Sequence, residues 1–421
     1  MKGKIGCVGC LTAALLSVAV PAVAWGGDRS QGELPRQAFA FDPAACRIPE
    51  KFRDHPLFTE PVVGVNFGFG GRRGYYAAHM DEPAKMKAAG VNWCVLKIHP
   101  MQETFCSRKI FFDPVFTVGE EETANMVAEL HRNGIHVMLQ PCVMALDSST
   151  MFNSFFFPGE EECQLEGRHP TYWKEWFASQ REILTVLAEF AEKTGCEALI
   201  IGCEYEKTVM RTDDWLETLA AVRQRYHGPV SFERGGTGAY PWLDRLDFVC
   251  LSYYPPAAPM PVGGFVSAEQ WNALPDVSRE EMAKTLKATA VEPLRRLHEA
   301  SGRLPVIITE AGMVGVHGWC REPWNGMLPH EKGVRVDHRE QADYTDAVFE
   351  TFVSQSYCRG ICLWKWDEAQ PRWFKRANPP IEGGFDIPGK PVENVLRKWA
   401  QLAQKECCLR SQAGRRKAIG L

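Results

Sequence analysis

Eight short apolar runs, amphipathic helix-length segments between them, and the lack of a dinucleotide-binding glycine fingerprint predict an α/β fold, a (β/α)₈ TIM barrel in one domain. The runs are "PVVGVNF" (61–67), "VNWCVLKI" (91–98), "IHVMLQP" (135–141), "EALIIGCE" (197–204), "GPVSFE" (228–233), "DFVCLSYY" (247–254), "LPVIITE" (304–310) and "GICLWKW" (360–366). Each has the length and β-branched content of a strand covered on both faces. The stretch "NFGFGGRRG" after the first run lacks G-x-G-x-x-G spacing, which argues against an open dinucleotide-binding sheet.

Taken from the N-terminus, Lys2 and Lys4 precede the apolar "LTAALLSVAV", and Ala22 and Ala24 follow. That order predicts a signal peptide over 1–24, cleaved after Ala24, and a secreted or periplasmic protein. The apolar run is short for a membrane span. Residues 25–60 read as an extension packed on the outside or bottom of a barrel that spans 61–405. Within it, "EEETANMVAELHRNG" and "WKEWFASQREILTVLAEFAEKTG" are amphipathic and end on Gly134 and Gly195, residues suited to C-caps. "DDWLETLAAVRQRY" opens with aspartates placed to N-cap. "SREEMAKTLKATAVEPLRRLHEASG" carries Ser278 and Glu281 in capping-box spacing and a predicted kink at Pro293. The fifth unit offers only "YPWLDRL" where a helix belongs, and "HREQADYTDAVFETFVSQ" and "KPVENVLRKWAQLAQ" complete the series. Residues 406–421 form a basic tail.

The chain has 421 residues, 45% hydrophobic and 24% charged, with a formal net charge of −4. That balance gives no reason to expect a nucleic-acid partner, and none at a membrane once the leader is removed. Fifteen cysteines, less Cys7 and Cys10 in the leader, leave thirteen, with no disulfide framework in their spacing. No cysteine–histidine spacing resembles a zinc site, so neither metal nor cofactor is predicted.

In such a barrel chemistry gathers at the C-terminal strand ends. The fourth run ends in Glu204 and the seventh in Glu310. Each closes an apolar strand without a basic neighbour in its own motif, and a buried carboxylate left unpaired is costly. Two such acids in one bowl are the minimum machinery of a glycosidase. Tyr253 and Tyr254 end the sixth run, and the two-residue period places Trp364 and Trp366 on one face of the eighth. Aromatic faces there would stack on the C–H side of a sugar. Asn66, Lys97, Gln140 and Glu233 sit at the ends of runs one, two, three and five, as either substrate contacts or structural groups. Glu206 reads as a second inward carboxylate or a loop ion pair with Lys207 or Arg211.

With these pieces in order, the chain resembles glycoside hydrolase family 113, a set of β-mannan-cleaving barrels in the retaining clan A. The resemblance covers about 61–400 and is carried by "AGVNWCVL", "GIHVMLQP", "IIGCEYEKT", "RQRYHGPVSF", "LDFVCLSYYPP", "LPVIITEAG", "EQADYTDAVFETF" and "GGFDIPGKPVENVLRKW". It implies Glu204 as acid/base, Glu310 as nucleophile, and Tyr254 and Trp364 bordering the reacting sugar. Two features depart from the pattern. Cys203 stands where much of the clan carries Asn, and the loop "CVMALDSSTMFNSFFFPGEEECQLEGRHP" (142–170) is rich in phenylalanine.

The sequence therefore leads to a secreted β-glycoside hydrolase acting on β-linked hexose polymers, β-1,4-mannan first among them. Retention requires the two carboxyl groups roughly 5–5.5 Å apart, against ~6.5–9.5 Å for inversion. A second reading keeps the clan chemistry on a different β-linked sugar. A third is a non-catalytic glycan-binding barrel, against which the presence of both carboxylates argues.

Overall fold

Eight parallel strands close on themselves in the order β1-β8-β7-β6-β5-β4-β3-β2. They are β1 (Val62–Phe67), β2 (Trp93–Ile98), β3 (His136–Pro141), β4 (Ala198–Cys203), β5 (Val230–Gly235), β6 (Val249–Ser252), β7 (Val306–Ala311) and β8 (Cys358–Leu363). The architecture is the predicted (β/α)₈ TIM barrel. The computed structural model describes residues 38–148, 155–157, 167–168, 170–260, 267–326, 333–367 and 383–418. The predicted signal peptide and much of the loop 142–170 lie outside them.

The two-residue period sorts the barrel interior into layers. At the bottom, Val62, Trp93, Ala198 and Phe248 pack against Phe52, Leu57 and Phe58 from the segment preceding β1. Above them lie Val95, Met138, Ile200, Cys250, Ile307 and Cys362. This layer is tight enough that a Cβ on Gly64 would stand 2.4 Å from the Cys362 sulfur. The top layer changes character: Asn66, Lys97, Gln140, Glu233, Ser252 and Thr309 are all polar and all buried. The switch from apolar to polar occurs one step below the loops.

Residues 38–60 are fastened to the barrel by backbone bonds from Ala40 to Val353 (2.9 Å) and from Asp42 to Ser356 (2.8 Å). The buried Arg359 of β8 locks the bottom segment, with Nε donating to the Leu57 carbonyl at 3.1 Å and Nη2 donating to that of Glu60.

The outer layer consists of α1 (Glu82–Ala88), α2 (Glu120–Arg132), α3 (Tyr172–Thr194), α4 (Thr212–Arg223), α5 (Arg279–Thr289), α6 (Val291–Ala300), α7 (His338–Val353) and α8 (Val392–Ala418). Gly195 terminates α3 with φ +74, a left-handed turn that costs a glycine little. Ser278 and Glu281 form the expected capping box. As the sequence suggests, the fifth unit holds only a 3₁₀ turn, Leu243–Arg245.

Three local expectations need correction. The aspartates of "DDWLE" lie in the first turn of α4, where they face the helix dipole, and Arg211 takes the N-cap. The chain divides into two helices at Ala290, and Pro293 lies in the first turn of the second instead of kinking one long helix. Proline cannot sit four residues after a helical carbonyl without a clash, and α5 ends at that residue, Thr289. Strand β8 stops at Leu363, short of both tryptophans.

Cys407 aside, the described cysteines are free thiols, most of them buried in or beside the barrel wall. No described helix is long and apolar enough to cross a membrane.

Arg359→Leu should destabilise the fold by about 1–3 kcal/mol for each buried carbonyl left without a donor. A urea midpoint unchanged from the native protein would show that the bottom segment is held by apolar packing alone.

Candidate active site

Glu310 reaches the bowl because β7 is irregular. Ile307 faces the barrel interior, and strict alternation from it would turn Glu310 toward the helices. Pairing with β6 runs from Leu251–Ile308 to Ser252–Glu310, and pairing with β8 from Ile361–Ile308 to Leu363–Ala311. Strand β7 thus carries one extra residue against both neighbours. A bulge of this kind re-aims a side chain. β4 shows the same device: its pairing with β5 slips between Ile200 and Cys203, just before Glu204. Glu204 itself sits in the left-handed region at φ +53, a conformation that costs a non-glycine residue of order 1–3 kcal/mol. Its amide donates to the Glu233 carbonyl at 2.9 Å, holding the turn against β5.

Both oxygens of Glu310 accept a hydrogen bond. Lys97 Nζ donates to Oε1 at 2.7 Å and the Tyr254 hydroxyl to Oε2 at 3.1 Å. Lys97 is wholly buried, and its ammonium also donates to Gln140 Oε1 at 2.5 Å. Gln140 in turn donates through Nε2 to Glu233, and the Ser252 hydroxyl donates to Glu233 Oε1 at 2.5 Å. Burial is the largest single influence and opposes the charge on Lys97, but Glu310 first, then Cys142, Cys203 and Glu233, together outweigh it and hold the lysine well above the usual ammonium range. Burial, followed by the charges of Glu310 and Glu204, pushes the Tyr254 phenol well up, so it stays a donor.

Glu204 has a different setting. Burial first, then the charge on Glu310, pushes its carboxyl up to about 7, partly opposed by a bond to Ser252. Glu233 is also raised, first by burial and then by Glu310. Glu204 borders a cavity of about 400 Å³ together with Gly235, Gly236, Ser252 and Tyr254.

The sequence-derived candidates divide accordingly. Glu204, Glu310, Tyr254 and Trp364 come together. Trp364 is half-buried, with the Lys97 ammonium 5.2 Å from its ring centroid and Phe69 edge-on at 4.8 Å. The Trp364–Lys365 peptide is cis.

Asn66, Lys97, Gln140 and Glu233 are each 0% exposed and form the floor beneath Glu310. Asn66 Nδ2 donates to the carbonyls of Thr309 (2.7 Å) and Leu363 (3.3 Å), tying β1 to β7 and β8. Trp366 is not brought to the bowl. It is 1% exposed, and its indole N–H donates to Glu82 on α1 at 2.8 Å. The two-residue period does not extend to it, because the strand has already ended. Glu206 is an ion-pair residue as foreseen, but its partner is Arg234, at 2.9 Å.

Sequence reasoning missed Ser252, although it is one step before the two tyrosines and shares the interior parity of Cys250. It also missed Phe69 and Arg234, whose roles depend on loops with no periodicity to read.

A parallel barrel with two acids at the tips of β4 and β7, one lifted by burial and then by the other's charge, has the arrangement that glycosidase chemistry requires. The model of Glycoside Hydrolase Family 113 matches residues 65–390, and the chain belongs to that family of glycoside hydrolases. Among solved structures it is similar to the GH113 β-mannanase AaManA from Alicyclobacillus acidocaldarius in complex with ManMIm. Identity is 24%, the match covers 82% of this chain and 99% of that one, and the TM-score is 0.66. A complex structure of a GH113 β-1,4-mannanase is 23% identical over 81% of this chain and 99% of that chain, with a TM-score of 0.62. At these identities the likeness establishes the fold. No curated protein matches the chain.

Because Glu310 is the second cause raising Glu204, Glu310→Gln should lower the Glu204 pKa from about 7 toward the ordinary carboxyl range. Infrared or carbon-13 titration of the Glu204 carboxyl would register the change; an unmoved pKa would mean the two groups do not interact. The raised pKa also signs the stability. The folded state binds more protons than the unfolded chain, so this contribution is full below the unfolded carboxyl range and is lost as pH rises through about 7.

Proposed function

We propose that the protein is an exported, retaining β-glycosidase acting on β-1,4-mannan, with Glu310 as nucleophile and Glu204 as acid/base. The observation that carries the reading is the unlike environment of the two carboxyls. Glu310 takes donors from Lys97 and Tyr254 on both oxygens, while Glu204 is pushed up to about 7. A carboxyl raised in this way can hold a proton near neutral pH and give it up to a leaving group.

In the first half-reaction a Glu310 oxygen attacks the anomeric carbon. The bond from that carbon to the glycosidic oxygen breaks, and Glu204 gives its proton to the departing oxygen. Bonding to the sugar removes the negative charge of Glu310, and with it the largest of the causes, after burial, that raise Glu204. Glu204 is then better able to remain ionised and can take a proton from water as that water attacks the same carbon. Breaking the Glu310–sugar bond returns the carboxylate to Lys97 and Tyr254. Trp364, at the edge of this site, offers the glycone an aromatic face.

The mannan assignment is supported by family membership and by the mannanases among similar folds. Export is supported by the leader-like order of residues 1–24.

Glu310→Gln should reduce turnover of mannan and of aryl β-mannosides by at least ~10³-fold. Glu204→Ala should retain far more activity on an aryl glycoside with an acidic leaving group than on mannan, since that group departs without a proton. Proton NMR of early products should show the β-anomer first; initial α-anomer would overturn the double displacement. Expressed with its leader in a bacterial host, the exported protein should begin at Trp25, read by N-terminal sequencing, and retention of residues 1–24 would remove the export reading.

A further inference from the structure

The cavity of about 400 Å³ beside Glu204 has a feature that the reaction chemistry leaves unused. Trp324 lines it, 62% exposed. A lone exposed apolar residue is ordinary, but this one stands on a fixed turn. The Asn325 amide donates to the Glu322 carbonyl at 3.0 Å. Trp319, buried against Trp271, donates its indole N–H to the Asn325 carbonyl at 2.7 Å. The indole of Trp324 is therefore presented to solvent from an anchored loop.

Gly235 and Gly236 also line the cavity and add no side chain to it. A Cβ on Gly235 would lie 3.5 Å from the Glu204 carboxyl oxygen, and one on Gly236, at φ +74, would meet nothing within 4 Å. Those glycines are held in place by Glu206, whose Oε1 accepts from the Gly235 amide at 2.9 Å and whose Oε2 accepts from Arg234 Nε at 2.9 Å. Arg234 also donates to the Gly238 carbonyl at 2.6 Å, bracing the same loop. The Glu206–Arg234 pair thus maintains an opening beside the acid.

The position of the space identifies its occupant. Glu204 lines the cavity, whereas Glu310 is not among the described residues that do. An acid that protonates the departing oxygen faces the leaving group. A pyranose there would set its hydroxyls toward Glu204 and Ser252 and its C–H face toward an indole.

Resting on the glycosidase reading above, we propose that this cavity binds the leaving-group sugar and that Trp324 is its stacking platform. Trp324 then sets how strongly a sugar leaving group is held relative to a leaving group that is no sugar.

The test compares mannotetraose with 2,4-dinitrophenyl β-mannobioside, whose leaving group is no sugar, using the full-length enzyme. In Trp324→Ala the ratio of kcat/KM for the tetrasaccharide to that for the aryl substrate should fall about 10-fold, the equivalent of one lost aromatic contact. Trp324→Phe should recover most of the ratio. Transfer of mannobiose units to added mannobiose should fall in parallel. A ratio within about twofold of the native enzyme, whether both activities hold or both decline together, overturns the assignment of Trp324. Native enzyme inert on both substrates overturns the mannan reading and this inference with it, a result distinct from an active enzyme with an unchanged ratio.

Discussion

The ion pair between Lys97 and Glu310 organises the upper half of this barrel. Both groups are nearly or wholly removed from water, and neither could be buried alone without a penalty of several kcal/mol. Once paired, their remaining hydrogen-bonding capacity must still be met. The Lys97 ammonium requires the Gln140 oxygen, which orients the Gln140 amide toward Glu233, and Ser252 completes that carboxyl. The polar layer is a chain of such obligations. It explains why four side chains at strand ends are buried rather than free to meet a sugar. Their work is to hold Glu310, and breaking any link leaves an unsatisfied group in a low-dielectric interior.

The same charge acts on the other side of the bowl. Among the described residues Glu204 forms no ion pair with a lysine, and burial, followed by the like charge of Glu310, raises its proton affinity. Cys203 adds to the crowding: its sulfur and oxygens of Glu233 and Glu310 lie within 4.8 Å of one another. The positive charge amid that group is Lys97. Around this core, rigid aromatic contacts fix what remains. Phe69 packs edge-on against Trp364 from one side, and Phe385 packs at 6.4 Å against Tyr254 from another.

Much of this was legible because periodicity and strand ends are local properties. The alternation of Trp93, Val95 and Lys97, or of Met138 and Gln140, reads directly as an inward face that turns polar at its tip. Where local regularity failed, so did the reading. Trp366 was assigned to the face of Trp364 by extending a strand that stops at Leu363. Lys97 was left open between a sugar contact and a structural group, since nothing near it in the sequence reveals that its partner lies 213 residues away. Trp324 and Arg234 sit in loops whose form is set by tertiary hydrogen bonds.

The chain's own order of residues thus determined the strands, their inward faces and the acids that close the fourth and seventh, because side-chain periodicity and β-propensity act over a few residues. Only closure of the barrel decided that those acids meet. Glu310 points inward because β7 carries an extra residue against both neighbours, and Glu204 because its backbone is held at a positive φ by a bond from β5. Register is a relation between strands, and no single strand contains it.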